Sequence, residues 1–165
     1  MTVDIAALLL RLALGVIFVM HGYKHGFGPN GLTGTTTWFA DLGLRPARVH
    51  AAVSTYLEIA AGVALLVGLF TPAAAAVGIG IMATAFMTVH RANGFFITKE
   101  GYEYVLLVAT ALTVLSMVGP GSWSLDHAFG LDRSGWQWGV GAFLFGALGT
   151  AGLLITSWRP HPPTD

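Results

Sequence analysis

The chain contains no cysteine. That excludes disulfides, thiolate-held metals and a dithiol redox pair within the polypeptide. Charge is scarce as well: Asp, Glu, Lys and Arg make up 10% of the 165 residues, against about 25% in an ordinary soluble domain. So few charges cannot cover a globule in water. Eight basic and eight acidic residues cancel, which leaves no basic face for a nucleic acid. A cleavable leader is not expected either. Asp4 stands where a positive charge belongs, Arg11 interrupts the first apolar run, and no small-x-small site follows it before His21. No cofactor-binding motif is present, so no intrinsic cofactor is expected and redox chemistry would be borrowed from a bound cofactor or a partner.

What the chain does have is apolar length. Hydrophobic residues are 55% of it and the mean hydropathy is +0.70. Five segments emerge, at about Ile5–Tyr23, Ala51–Phe70, Pro72–His90, Gly101–Val118 and Trp136–Trp158. Most are close to the roughly twenty residues that span a bilayer as a helix. Thr71-Pro72 separates the second and third by a tight break, with proline tolerated in the first turn of the helix that follows, so these two are antiparallel neighbours. Gly119-Pro120-Gly121 ends the fourth.

Threading the segments puts Lys24, Arg45, Arg48, Arg91, Lys99 and Arg159 on one side, with Arg133 on the other. The bias predicts an outside N-terminus and a cytoplasmic C-terminus. Within the 26–50 loop on the cationic side, Trp38, Phe39 and Leu42 share a helical face, which predicts a short helix lying in the interface or folded over the bundle mouth. The 122–135 loop, with Trp123, Leu125 and Phe129, predicts a second interfacial segment. In the last helix Gly135 and Gly139, then Ala142, Gly146 and Thr150, form small-residue stripes, suited to its own bundle or to a partner seam.

The polar residues converge on the cationic side. Glu58 stands alone inside the second helix, where an ionised side chain costs about 2.5–3.5 kcal/mol on insertion scales. His21, Lys24, His90, Asn93 and Glu103 fall at helix ends on that same side. Counting back from Thr71-Pro72 sets Glu58 level with Ala85 and leaves His90 ~7.5 Å shallower. The expected site is a funnel with Glu58 at its base and His21, His90 and Glu103 around the mouth. A carboxylate beside an imidazole suits proton exchange with a quinone head group. A low-ranked alternative is a metal held by His21, His25 and Glu58, and another is recognition of a polar solute by a carrier.

Each residue also has a structural reading. Lys24 and His25 suit interfacial anchoring, Glu103 suits the N-terminal end of a helix dipole, and His90 suits the C-terminal end. Glu58 suits a buried hydrogen bond or ion pair. Arg11, about two turns in from the other side, is expected to snorkel or to pair with Asp126 or Asp4. Against a carrier, no inverted repeat and no paired broken helices are evident.

These residues resemble the DoxX family of small bacterial membrane proteins. The matching pieces are Arg11-Leu12-Ala13-Leu14-Gly15, Phe18, His21-Gly22-Tyr23-Lys24, Trp38-Phe39, Gly43-Leu44, Glu58 with Gly62, and Gly68-Leu69-Phe70-Thr71. His90, Asn93-Gly94-Phe95-Phe96, Gly101-Tyr102-Glu103-Tyr104, Gly119-Pro120-Gly121 and Ser124-Leu125-Asp126 continue it. The resemblance spans residues 5–126 and implies an antiparallel four-helix transmembrane bundle in the bacterial plasma membrane. To this all-α membrane domain, 1–126, a 127–165 extension adds the fifth helix. The fifth helix and His25 depart from the family pattern. The resemblance further implies association with quinol oxidase, thiosulfate:quinone oxidoreductase or, as for a mycobacterial member, an oxidative-stress complex. The expected function is therefore a quinone-facing subunit of a membrane redox system. Its expected partners are the lipid bilayer, redox proteins or a second copy of the chain, and nucleic acid is not among them. A non-catalytic assembly subunit docking through helix five is the alternative, and a small-solute carrier ranks third.

Overall fold

The apolar runs fold as helices because a backbone in lipid must satisfy its own N–H and C=O groups. The computed structural model describes residues 1–160; the last part of the 127–165 extension, 161–165, lies outside them. Its helices are α1 (Thr2–Phe27), α2 (Gly31–Asp41), α3 (Ala47–Val67), α4 (Thr71–Ala85), α5 (Glu103–Val118), α6 (Leu125–Ala128) and α7 (Trp136–Ser157). A π-helical turn, Phe86–His90, and a 3-10 turn, Arg91–Asn93, carry α4 onward, and together they make one apolar rod of 23 residues. That rod, α1, α3 and α7 are each long and apolar enough to cross a membrane. The 16-residue α5 is equally apolar but only ~24 Å long, short of the ~30 Å hydrocarbon core.

Packing follows the apolar faces. α1 packs on α3, α3 on α4, α4 on α5, and α5 returns to α1. Leu14, Phe18, Leu65, Ile79, Val108, Leu112 and Leu115 fill the middle of this ring. The opposite faces present Leu9, Val16, Leu107, Phe145 and Leu148 outward, a surface suited to lipid rather than water. Close approach of α1 and α3 depends on glycine. A Cβ on Gly62 would lie 2.7 Å from the Val19 backbone nitrogen and 2.8 Å from the Gly15 carbonyl oxygen.

α7 lies outside the ring, against α4 and α5. The four small residues Gly139, Ala142, Gly146 and Thr150 are buried there. Gly146 backs onto Gly80, and Thr150 Oγ1 donates to the Gly80 carbonyl at 2.8 Å. The small stripe is thus used within the chain.

The end of the molecule remote from Glu58 is tied by a polar knot. Gly68 (φ 67°) and Phe70 (φ 50°) turn the chain from α3 into α4 through left-handed backbone. The buried Asp126 carboxylate accepts from the Phe70 and Thr71 amides at 2.7 and 2.9 Å, which caps α4 from another part of the chain. The expected Arg11–Asp126 ion pair does not form: among the described residues no Arg11 nitrogen comes within salt-bridge distance of a carboxylate. Arg11 does not snorkel either. It is 1% exposed, packs its guanidinium on Gly68 and donates through Nη2 to the Trp123 carbonyl. Asp4 is occupied separately, by the N-terminal ammonium at 2.8 Å and by Ser122. Of the expected second interfacial segment, Trp123 and Phe129 are exposed on either side of the short α6.

Replacing Asp126 by alanine strands two amides at the start of α4. We expect a loss of about 1–3 kcal/mol in stability, read as an earlier unfolding midpoint on titrating SDS into mixed micelles. An unchanged midpoint would show that the cap is not needed.

Candidate functional site

Glu58 owes its position to α3, whose residues His50, Ser54 and Glu58 recur every four places and so lie along one face. The carboxylate is 3% exposed. Ser54 Oγ donates to its Oε1 at 2.7 Å. His25, from the last turns of α1, brings Nδ1 to 3.2 Å from that same Oε1. The nitrogen is too poorly aligned to make a hydrogen bond and is otherwise unpartnered. Catalytic contacts in unliganded sites are often misaligned in this way and tighten when a ligand binds. The deepest acid is thus met by His25, rather than by His21 or His90.

The helix across the bundle mouth explains how His25 is held. Thr35 Oγ1 donates to the His25 carbonyl at 2.7 Å, which pins α2 to the end of α1. Trp38 and Phe39 then flank the imidazole, with ring centroids 5.8 and 6.5 Å away. The expected short amphipathic helix is present, and it folds over the bundle. Beside His25, Gly22 has no room for a side chain: a Cβ would lie 2.8 Å from the Thr55 carbonyl oxygen and 3.0 Å from Glu58 Cβ.

These groups line a cavity of about 320 Å³. His50, Ser54, Leu57 and Glu58 form its α3 wall; Thr84, Ala85 and Thr88 belong to α4 and its π-helical turn. Gly149, Thr150 and Leu153 of α7 stand opposite, and Trp38, Phe39 and Leu42 roof it. The depth count that placed Glu58 level with Ala85 agrees with their sharing this cavity. The roof is fastened to α7. Trp158 Nε1 donates to the Leu42 carbonyl at 2.8 Å, and the Arg45 and Arg159 amides bond across to Ser157 and Gly43 at 2.8 and 2.7 Å.

The other expected mouth residues are placed elsewhere. His90 Nδ1 lies 2.6 Å from the Glu100 carbonyl oxygen, and Asn93 Nδ2 donates to the Val89 and Glu100 carbonyls. Glu103 accepts from the Ile97 amide at 3.0 Å. All three organise the 91–102 loop and none lines the cavity. His21 stacks on Tyr104, with centroids 6.1 Å apart, and is also outside the lining. Lys24 is exposed. The His21 and His25 rings stand 6.4 Å apart and perpendicular, and among the described residues no three His, Asp or Glu side chains are grouped to hold a metal.

His50 is the residue that sequence reading missed. Its Nε2 is buried without a hydrogen-bond partner, and its ring lines the cavity. The signal was its spacing of four from Ser54 and eight from Glu58. Starting the helix at Ala51, when α3 begins at Ala47, hid it.

A buried carboxylate, two imidazoles and apolar walls inside a membrane-spanning bundle describe a multi-pass membrane protein with one polar point in a lipophilic cavity. The DoxX family model matches residues 6–91, just over half of the chain, and the chain belongs to the DoxX family. The match covers α1 through the π-helical turn, and with them Glu58, His25, His50 and the roof. Comparisons with curated proteins and with solved structures find no match.

His90→Ala separates the loop from the cavity. Hydrogen exchange across 91–102 should rise at least tenfold while residues 54–58 keep their protection. Equal loosening of both regions would join His90 to the Glu58 site.

Proposed function

We propose that this protein is a quinone-facing subunit of a membrane redox system, in which Glu58 and His25 exchange protons with a quinone head group. The observation that carries the reading is the Glu58–His25 contact at 3.2 Å inside a cavity that is otherwise largely apolar. The residues fit such a group. A neutral, flat head needs apolar walls and a few polar contacts at its oxygens, and Glu58, His25 and the unpartnered Nε2 of His50 provide these. When bound, a quinone supplies the two-electron chemistry that a chain without cysteine or cofactor motif lacks.

The chain's own part is binding and proton handling. Ser54 orients the carboxylate through Oε1. Trp38 and Phe39 hold the imidazole against it and cover this end of the cavity. Proton exchange between Nδ1 of His25 and Oε1 of Glu58 would follow once this 3.2 Å contact comes into hydrogen-bond alignment. The positive-inside bias supports a cytoplasmic position for this end, in a reading where the membrane is the bacterial plasma membrane and α5 makes a further crossing between α4 and α7. Partner redox proteins would supply or accept the electrons.

Assembly through helix five is weaker as a primary role, because the stripe that suggested it is buried against α4 and α5. A carrier would need a polar route through the bundle, and Leu14, Phe18, Leu65 and Leu112 fill the path beyond Glu58.

Purified protein titrated with ubiquinone-1 or menaquinone-1, followed by quenching of tryptophan fluorescence, should bind saturably. Glu58→Gln and His25→Ala should each weaken binding about tenfold or more, a loss of ~1.4 kcal/mol or more. Absence of saturable binding to either quinone would overturn the proposal.

A further inference from the structure

We infer that the cavity is entered sideways from the bilayer, between α3 and α7, and that this gap holds the hydrocarbon tail of a lipid-tailed ligand whose head lies at Glu58. The head-group assignment rests on the quinone reading; the portal rests on geometry alone. α3 and α7 both pack on α4 but barely on each other. The space between them is therefore floored by α4 and walled by two helices. At the Glu58 end it is closed over by α2 and by the bonds joining Gly43 and Arg45 to Arg159 and Ser157. A ligand cannot enter through that roof without breaking it.

The remaining side is apolar and open. Val53 and Leu57 of α3 and Phe145 of α7 line the cavity, yet are 47%, 42% and 74% exposed on what would be the lipid surface. Between them Gly149 lines the cavity and is itself exposed; a Cβ placed there would meet no heavy atom within 4 Å. A larger residue would have narrowed the gap without any clash to prevent it. Inside, the polar atoms lie deep in this cleft and the apolar ones at its lip, the order in which an amphipathic molecule would present head and tail. His50 Nε2, buried and unpartnered, adds a second nitrogen for the head.

The chain lacks cysteine, so Gly149→Cys gives a single labelling site. In proteoliposomes a nitroxide there should collide with dissolved oxygen more often than with a water-soluble nickel chelate. The reverse order would overturn the portal, whatever the ligand. The tail is tested by Gly149→Phe, which fills the gap where no atom stands. It should weaken decyl-ubiquinone about tenfold or more, change tail-less ubiquinone-0 less than twofold, and leave the melting temperature in detergent unchanged. Equal effects on both quinones, or none on either, would overturn the tail assignment. If wild type binds neither quinone, the quinone reading and the tail assignment fall together, while the nitroxide result still decides the portal.

Discussion

The structure turns on one buried carboxylate. Placing Glu58 inside a membrane bundle is costly unless its carboxylate finds polar partners, and two of them converge on Oε1. Ser54 reaches it from one turn earlier in α3, and His25 comes from α1. For His25 to arrive, α1 and α3 must lie close, which Gly22 permits, and α2 must fold back to hold the imidazole, which Thr35, Trp38 and Phe39 accomplish. The roof in turn needs an anchor, and the end of α7 supplies it through Trp158 and Leu42. One acid thus accounts for the placement of four helices.

The two ends of the molecule solve different problems. Away from Glu58, Arg11 and Asp126 are both buried, and each bonds to backbone rather than to the other, with Arg11 Nε and Nη1 left unpartnered. Their work is to fix the α3–α4 turn and the start of α4. At the other end the unmatched atoms line a cavity: His25 Nδ1 and His50 Nε2 are buried there without aligned partners. Buried unmatched nitrogen beside an acid, in a cavity rather than in a packed knot, is what makes this end the candidate site.

Much of this was legible in the sequence. The apolar runs, the Thr71-Pro72 break, the Gly119-Pro120-Gly121 stop and the Trp38–Phe39–Leu42 face each state a local rule, and local rules survive folding. The importance of Glu58 was legible because an acid in such a run has no cheap explanation. Its partner was not. His25, His21, His90 and Glu103 all sit near helix ends on one side, and sequence spacing along separate helices cannot say which of them turns inward. That depends on α2, whose fold over the mouth selects His25, and on the 91–102 loop, whose unmet carbonyls and amides take up His90, Asn93 and Glu103. The packing of α7 was equally open, since a small-residue stripe serves a neighbour in the same chain as well as one in another.

The central claim is that a quinone head meets Glu58. Infrared difference spectroscopy of the full chain in lipid, with and without a short-tailed quinone, reads this carboxyl directly. The account predicts a carboxyl or carboxylate band that shifts on binding and vanishes from the difference spectrum in Glu58→Gln. Saturable binding with no carboxyl change, or a band that survives Glu58→Gln, would contradict it.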